Sequence, residues 1–309
     1  MDHKQNILDA LSVMRDSVKI EGNIFKLRSY EKVIKNIANI TEPILSFEQI
    51  EVSSGAGDKI KLKLKEIIET GHLKQADKIS KRSDVKIKNE LMQVYGIGPK
   101  KAIDLVEKHE IYSVEDLRKK SKLDDKLLTT AQKIGLECYE DLLERIPRSE
   151  MLQHQKILNL SLEKGEITGS FRRGNDSSGD IDALLNMNSE EFKKYINNLQ
   201  KKKYLIHILA EGDRKMLGVC RLKNGKYRRL DLIRTDKHEY PYMLLYFTGS
   251  AKFNVAFRQH CLNVGYSLNE HSFTPNVIGL ETEKDIFDYL NIKYIEPEKR
   301  VDISSIIKK

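Results

Sequence analysis

The chain has little cysteine and nowhere a long apolar run. Cys138, Cys220 and Cys261 are scattered and form no CxxC pair, which excludes a disulfide framework and a cysteine zinc site and fits a reducing compartment. They read as packing residues. No apolar stretch approaches the ~20 residues of a membrane-spanning helix. The opening Met1-Asp2-His3-Lys4-Gln5-Asn6 lacks the apolar core of a signal peptide. The expectation is an intracellular, soluble protein with no membrane partner. Its 309 residues suffice for two or more domains, and 39% hydrophobic content can fill their cores. A net charge of +8 favours a polyanionic partner, without choosing between nucleic acid and a membrane surface.

The densest chemistry lies in Gly169-Ser170-Phe171-Arg172-Arg173-Gly174-Asn175-Asp176-Ser177-Ser178-Gly179-Asp180-Ile181-Asp182. Asp180 and Asp182 run into the apolar Ala183-Leu184-Leu185, so on a strand both carboxylates point to one face. Two convergent carboxylates suit Mg²⁺, which is held by a few carboxylates plus phosphate oxygens. Gly169 and Gly179 let backbone approach a ligand, Ser170 and Ser178 offer hydroxyls, and Arg173 offers a fork for phosphate oxygens. The bland alternative is a turn entering a strand, with Asp182 at a solvated edge. Asp231, in the apolar Arg228-Arg229-Leu230-Asp231-Leu232-Ile233, is a poor residue to bury unless cations neutralise it.

In chain order, apolar spacing predicts two or three short helices between Asn6 and Asn39. Thr41-Glu42-Pro43 breaks that pattern and leads to Ser54-Gly55-Ala56-Gly57-Asp58. Lys59 to Lys65 alternates like a strand, yet Ile60, Leu64, Ile67 and Ile68 share a helical face and Thr70-Gly71 is a helix stop. A helix is the reading taken, with Lys59 and Lys63 on one face. Basic residues outnumber acidic ones ten to four between Lys59 and Lys88, a run that is otherwise an ordinary solvated face. A second Gly-x-Gly occurs in Val94-Tyr95-Gly96-Ile97-Gly98-Pro99-Lys100, again before an apolar helical pattern. Paired turns of this kind aim helix N-termini at phosphates; two unconnected tight turns are the alternative. Ser113 reads as an N-cap with Asp116 as its partner three residues on.

Glu144 to Met151 reads as a hinge between an all-helical front and an α/β back. A helix from Met151 to Glu163, a helix from Ser189 to Lys202 and a strand from Tyr204 to Leu209 follow. Strands Lys215–Leu222 and Tyr227–Arg234 flank Asn224-Gly225, a hairpin signal that places Asp231 on a paired strand. His207 reads as a core histidine. Near the end, Tyr246-Phe247-Thr248-Gly249-Ser250 precedes a helix carrying Asn254 and Arg258 on one face, which suits a nucleotide sugar and base edge; a packed aromatic turn is the alternative.

The glycine-serine run with its two aspartates, followed about fifty residues later by the aspartate of the Arg228–Ile233 stretch, resembles the catalytic palm of the family X DNA polymerases, and the likeness extends over nearly the whole chain. The resemblance implies a multidomain α and α/β fold. Its parts are a helical lyase-like domain over residues 1–78 and a helix-hairpin-helix DNA-binding domain over 79–142. A nucleotidyltransferase palm with a mixed β-sheet covers 143–237, and a small α+β C-terminal nucleotide-selecting domain covers 238–309. The implied activity is template-directed filling of short gaps in base excision repair, acting on gapped or nicked DNA and deoxynucleoside triphosphates as a monomer, with a ligase among conceivable partners. Two Mg²⁺ would serve it, Asp180 and Asp182 bridging both and Asp231 holding the catalytic one.

By the same resemblance Arg145, Ser170, Arg173, Ser178 and Gly179 bind triphosphate, Tyr246, Phe247 and Gly249 check the sugar, and Asn254 and Arg258 face the new base pair. Gly55, Gly57, Lys59, Gly96, Gly98, Lys100 and Arg229 contact DNA. Carbonyls of Glu51, Ser53 and Ala56, and of Met92, Val94 and Ile97, hold Na⁺ or K⁺. Lys63 is the Schiff-base nucleophile of a 5′-deoxyribose-phosphate lyase, the local alternative being one more DNA-contacting lysine. The reading that Lys59 depresses the Lys63 charge by repulsion goes with it. Departures are Ala251, where the family has an aspartate near the incoming base, and Glu51 and Asn23, where it has phosphate-binding lysines that Lys26, Arg28 or Tyr30 could replace. The rival classes are a template-independent or RNA-tailing nucleotidyltransferase, a polymerase without lyase activity, and a non-catalytic DNA-binding scaffold.

Overall fold

The computed structural model describes residues 2–80, 83–160 and 164–301. Contacts divide the chain into two compact units, residues 1–139 and 140–309.

The first unit is helical: α1 (Lys4–Ile20), α2 (Ile24–Ala38), α3 (Asp58–Thr70), α4 (Lys74–Ser80), α5 (Ser83–Leu91), α6 (Pro99–Glu107), α7 (Val114–Leu123) and α8 (Thr130–Glu137), with α9 (Tyr139–Leu143) at the boundary between the units. It holds two separate cores. One is built from α1 to α4 around Ile7, Leu11, Ile37, Leu64 and Ile67. The other, from α5 to α8, centres on Leu91, Ala102, Leu105 and Leu117. The ambiguous lysine-rich stretch is helix α3, because only helical spacing buries Ile60, Leu64 and Ile67 together. Leu62, which strand alternation would pair with them, is left 68% exposed. Gly71 closes the helix in the left-handed region at φ 80°. Ser113 caps α7 by accepting the Asp116 N–H, but Asp116 returns its carboxylate to the amide of Tyr112 rather than of Ser113 (3.3 Å).

Both Gly-x-Gly turns use the same backbone grammar. The first glycine takes positive φ, 64° at Gly55 and 83° at Gly96, a region costly for a residue with a Cβ. The second, Gly57 or Gly98, is the extended N-cap of the next helix and gives it no side-chain cap. A polar side chain braces each turn: Asn36 Nδ2 donates to Ser54 O (2.9 Å), and Gln132 Nε2 to Gly96 O (2.8 Å).

The second unit contains β1 (Ile146–Pro147), α10 (Arg148–Leu158), β2 (Gly165–Ile167), α11 (Gly169–Arg172), β3 (Ser177–Ser178), β4 (Ile181–Asn186), α12 (Ser189–Lys201), β5 (Leu205–Glu211), β6 (Lys215–Arg221) and β7 (Tyr227–Thr235). After them come α13 (Tyr240–Thr248), α14 (Ala251–Asn263), β8 (Ser267–Leu268), β9 (Phe273–Thr274) and α15 (Glu283–Tyr289). The main sheet runs β2-β4-β7-β6-β5, with β4 and β7 parallel and the other neighbours antiparallel. Its core is filled by Ile181, Ala183, Leu185, Leu230 and Leu232 against α12 residues Phe192, Ile196 and Leu199. A third of the unit packs separately around Phe253, Phe257, Phe273 and Phe287. It joins the sheet through Leu184, Ile233, Met243 and Leu244.

The expected hinge is not a free connector. Ile146 and Pro147 pair with Ser178 and Ser177, and Arg148 opens α10, so the stretch lies inside the second unit, after the division at Tyr139. Backbone hydrogen bonding to the phosphate-cradle segment ties the stretch into the second unit. The helix expected from Met151 to Glu163 ends at Leu158, where Asn159 takes φ 49°; Glu163 lies outside the described residues.

Candidate active site

Asp180 and Asp182 come from the start of β4, and Asp231 from β7. The parallel register sets Asp182 directly opposite Asp231, so two acids from distant parts of the chain face each other across adjacent strands. Arg229 Nη2 lies 2.8 Å from Asp180 Oδ2 and 3.7 Å from Asp231 Oδ2, and Lys215 Nζ lies 3.6 Å from Asp231 Oδ2. Two cations serve three carboxylates, one of them, Asp231, only 8% exposed. Burial, then the charges of Asp180 and Asp231, push Asp182 up to about 7 despite Arg229 and Lys215. Burial likewise raises Asp231, against the same two cations.

Negative charge is therefore held here at a cost, the condition in which hard divalent cations bind carboxylates. The donor set fits such an ion. Among the described residues, however, no three acidic, histidine or cysteine side chains already close round one point. Asp180 is paired with Arg229, whose guanidinium also lies near Asp231.

The cradle stands beside the acids. Gly169, at φ 59°, would place a Cβ 3.1 Å from Asp182 Oδ2, so its close approach serves the carboxylate. Gly179 faces open space. Ser170 Oγ donates to Ser178 Oγ at 3.0 Å, bringing the two hydroxyls together. Arg145 forks onto Ser177 Oγ and Ser177 O, both at 2.7 Å. Arg173 donates Nη1 to Thr248 O at 2.5 Å, and burial lowers its pKa. These groups converge from the residue before β1, α11 and its C-cap, β3 and the end of α13.

At that end the Gly249–Ser250 peptide is cis. Tyr246 and Phe247 meet edge to face at 5.1 Å. Asn254 donates to Tyr246 O at 2.7 Å, while the Arg258 guanidinium lies over the Tyr246 ring at 4.9 Å and reaches Glu270 at 3.2 Å. Asn254, Arg258 and Tyr246 thus line one small cavity. Ala251 begins α14, capped by Ser250.

In the first unit Lys63 lies in a cleft with Lys26, Tyr30, Lys59, Glu66 and Gln75. Its ammonium donates to Gln75 Oε1. Burial lowers the Lys63 pKa, with Glu66 opposing, so the depression does not come from Lys59 as the sequence suggested. Lys59 lines the same cleft. Asn23 is occupied as the N-cap of α2, and Glu51 pairs with Lys61 at 3.4 Å. Of the substitutes considered, Lys26 and Tyr30 line the cleft and Arg28 does not. Of the carbonyls expected to hold a monovalent cation, that of Val94 accepts the Ile97 N–H at 3.1 Å. Gly57, Gly98 and Lys100 stand at the openings of α3 and α6.

Sequence reasoning missed several residues. Lys215 is two positions from Leu217, the residue paired with Asp231, so the hairpin register carried a signal for it. Arg172 and Arg300 had none. Arg172 reaches Glu166 at 2.7 Å and Glu283 at 3.1 Å, and Arg300 reaches Glu283 at 2.5 Å, so the carboxylate of Glu283 is buried between two guanidiniums. Gln75 and Glu66 were unremarkable in a lysine-rich run.

A helical unit joined to a mixed-sheet unit with acids on adjacent parallel strands has matches along almost its full length. Residues 2–73 match a helix-hairpin-helix domain, 89–143 the fingers domain of DNA polymerase lambda, 145–237 the DNA polymerase beta palm and 243–301 the DNA polymerase beta thumb. Among similar proteins, DNA polymerase lambda of Rattus norvegicus is 30% identical over 97% of this chain and 56% of its own length. DNA polymerase lambda of Arabidopsis thaliana is 26% identical over 97% of this chain and 62% of its own. The DNA polymerase type-X family protein pol4 of Schizosaccharomyces pombe is 26% identical over 96% and 64%. The chain belongs to the family X DNA polymerases. It spans less than two thirds of the length of these relatives.

Proposed function

We propose that this protein is a DNA-directed DNA polymerase that fills short gaps during base excision repair, using deoxynucleoside triphosphates on gapped or nicked DNA. The observation that carries the reading is the register of Asp182 against Asp231 beside the Ser170, Ser178 and Arg173 cradle. Carboxylates short of counter-charge next to phosphate donors suit a metal-bridged triphosphate. Domains over 1–78, 79–142, 143–237 and 238–309 fit this reading, as do the separate cores.

Asp180, Asp182 and Asp231 would hold two Mg²⁺. When bound, the ions supply charge neutralisation and lower the pKa of an attacking hydroxyl. The chain's own groups do the rest. Arg145, Arg173, Ser170, Ser178 and the Gly179 backbone bind and align the triphosphate for in-line attack. Tyr246, Phe247 and Gly249 crowd the sugar, and Asn254 and Arg258 meet the base pair. Arg229 must release Asp180 as metal and DNA arrive, and can then turn to a phosphate. The openings of α3 and α6, with Lys59 and Lys100, take backbone phosphates, with a monovalent cation at the hairpins.

A second activity is favoured by a specific observation: a lysine of depressed pKa, Lys63, inside a cleft with Lys26 and Tyr30. An amine must be neutral to attack an aldehyde, so Lys63 suits a 5′-deoxyribose-phosphate lyase. Extension of a primer across a one-nucleotide gap, with and without template and with and without a downstream 5′-phosphate, tests the polymerase reading. Incorporation that ignores the template base would overturn it in favour of a tailing enzyme.

A further inference from the structure

We propose that Glu66 is the base for the elimination step of the lyase, taking a proton from C2′ of the sugar held on Lys63. The inference rests on the lyase reading and adds to it the group that a Schiff base alone does not supply. The Lys63 amine adds to the C1′ aldehyde and loses water, leaving an iminium. Breaking a C2′–H bond sends its electron pair into C1′–C2′ and neutralises the iminium as an enamine. The enamine then expels the C3′–O bond with its electrons, which frees the DNA 5′-phosphate and leaves a conjugated iminium that water hydrolyses. The proton from C2′ goes to a carboxylate and on to solvent. No oxidant or reductant enters.

The cleft offers three carboxylates, Glu21, Asp58 and Glu66. Asp58, five residues before Lys63, is turned well away from it round the helix. Glu21 caps α1, and its charge adds to burial in raising the pKa of Tyr30. Glu66 follows Lys63 by three residues on α3, so the two side chains are neighbours on one face, about 5–6 Å apart at Cβ. Its charge is the one that acts on the Lys63 amine. It is also held in place: one carboxylate oxygen accepts the Lys74 N–H at 2.9 Å, and the residue lines the cleft. Gln75 Oε1 accepts a hydrogen bond from the amine. Amine and carboxylate are thus set on a rigid element, with C2′ two bonds beyond Nζ.

The test uses the full chain and a DNA duplex carrying an incised abasic site with a 5′-deoxyribose-phosphate end. Borohydride trapping reports the Schiff base, and single-turnover release of sugar phosphate reports elimination. Glu66→Gln keeps the acceptor for Lys74 and should trap within about twofold of wild type while eliminating about 100-fold more slowly or worse. Glu66→Asp should recover part of that rate, and Glu21→Gln should eliminate like wild type. Elimination by Glu66→Gln within about threefold of wild type would overturn the inference and leave the lyase reading standing. A wild-type protein that never traps would remove both. Should Glu66→Gln trap poorly, its elimination rate normalised to the amount of trapped complex decides in the same way.

Discussion

Replacing Asp182 with asparagine should make the metal-free protein more stable, by a margin that grows as pH rises from about 4 and is complete above about 7. Asp182 titrates near 7 in the folded protein against 3.8 for the free side chain, because burial, Asp180 and Asp231 all disfavour its charge. The folded pKa lies above the unfolded one, so the unfolded chain loses this proton first. The native state is penalised progressively as pH rises from about 4 and fully above about 7. At ~1.4 kcal/mol per tenfold in proton affinity, the ceiling is about 4 kcal/mol. Partial access of water to the site and adjustment of Arg229 and Lys215 reduce the expected gain to about 1–3 kcal/mol. Urea unfolding of wild type and Asp182→Asn in EDTA should show a difference that is small at pH 4 and largest at pH 8. Millimolar Mg²⁺ should stabilise wild type and do little for the variant, narrowing the gap. A difference flat in pH, or a variant less stable than wild type at pH 8, would refute the electrostatic account of the site.

Asp231→Asn should cut single-nucleotide gap filling by about a hundredfold or more while DNA affinity by fluorescence anisotropy stays equal or rises slightly, since one negative charge is gone. Deoxynucleotides should be preferred over ribonucleotides in competition assays, and equal use would show that Tyr246 and Phe247 do not crowd the sugar. Lys63→Ala should abolish borohydride trapping without slowing incorporation; trapping at the wild-type level would return Lys63 to the ordinary DNA-contacting lysines. Glu283→Ala strands the guanidiniums of Arg172 and Arg300 and should cost about 3–5 kcal/mol by urea denaturation, whereas an isolated surface pair would cost under about 1.

Much of the site was legible because its signals are local. Two acids spaced by two with apolar residues behind them specify a strand edge with convergent carboxylates, whatever the rest of the chain does. Helix α3 was legible for a similar reason: Ile60, Leu64 and Ile67 outlast the alternation of Lys59 to Lys65, and Gly71 stops them. The hinge was misread because the pairing of Ile146 and Pro147 with β3, thirty-odd residues ahead in sequence, is a contact that a short stretch does not display. The cause of the Lys63 shift was misread because sequence displays neighbouring charges and hides burial, and burial prevails there.

By itself the sequence determined the elements, the two repeated glycine turns, the paired acids and the likeness to a polymerase family, since periodicity, backbone permissiveness and residue chemistry are properties of short stretches. Tertiary structure alone decided which acids meet. The crossover from β4 through α12 and the β5–β6 hairpin brings β7 back parallel, in the register that sets Asp231 opposite Asp182. It also decided what balances them, because Arg229 and Lys215 reach the cluster from two strands. It buried Glu283 between Arg172 and Arg300, which are separated by more than a hundred residues, and it placed Gln75 and Glu66 around Lys63. Charge and desolvation depend on distances through space, and only the packed chain fixes those.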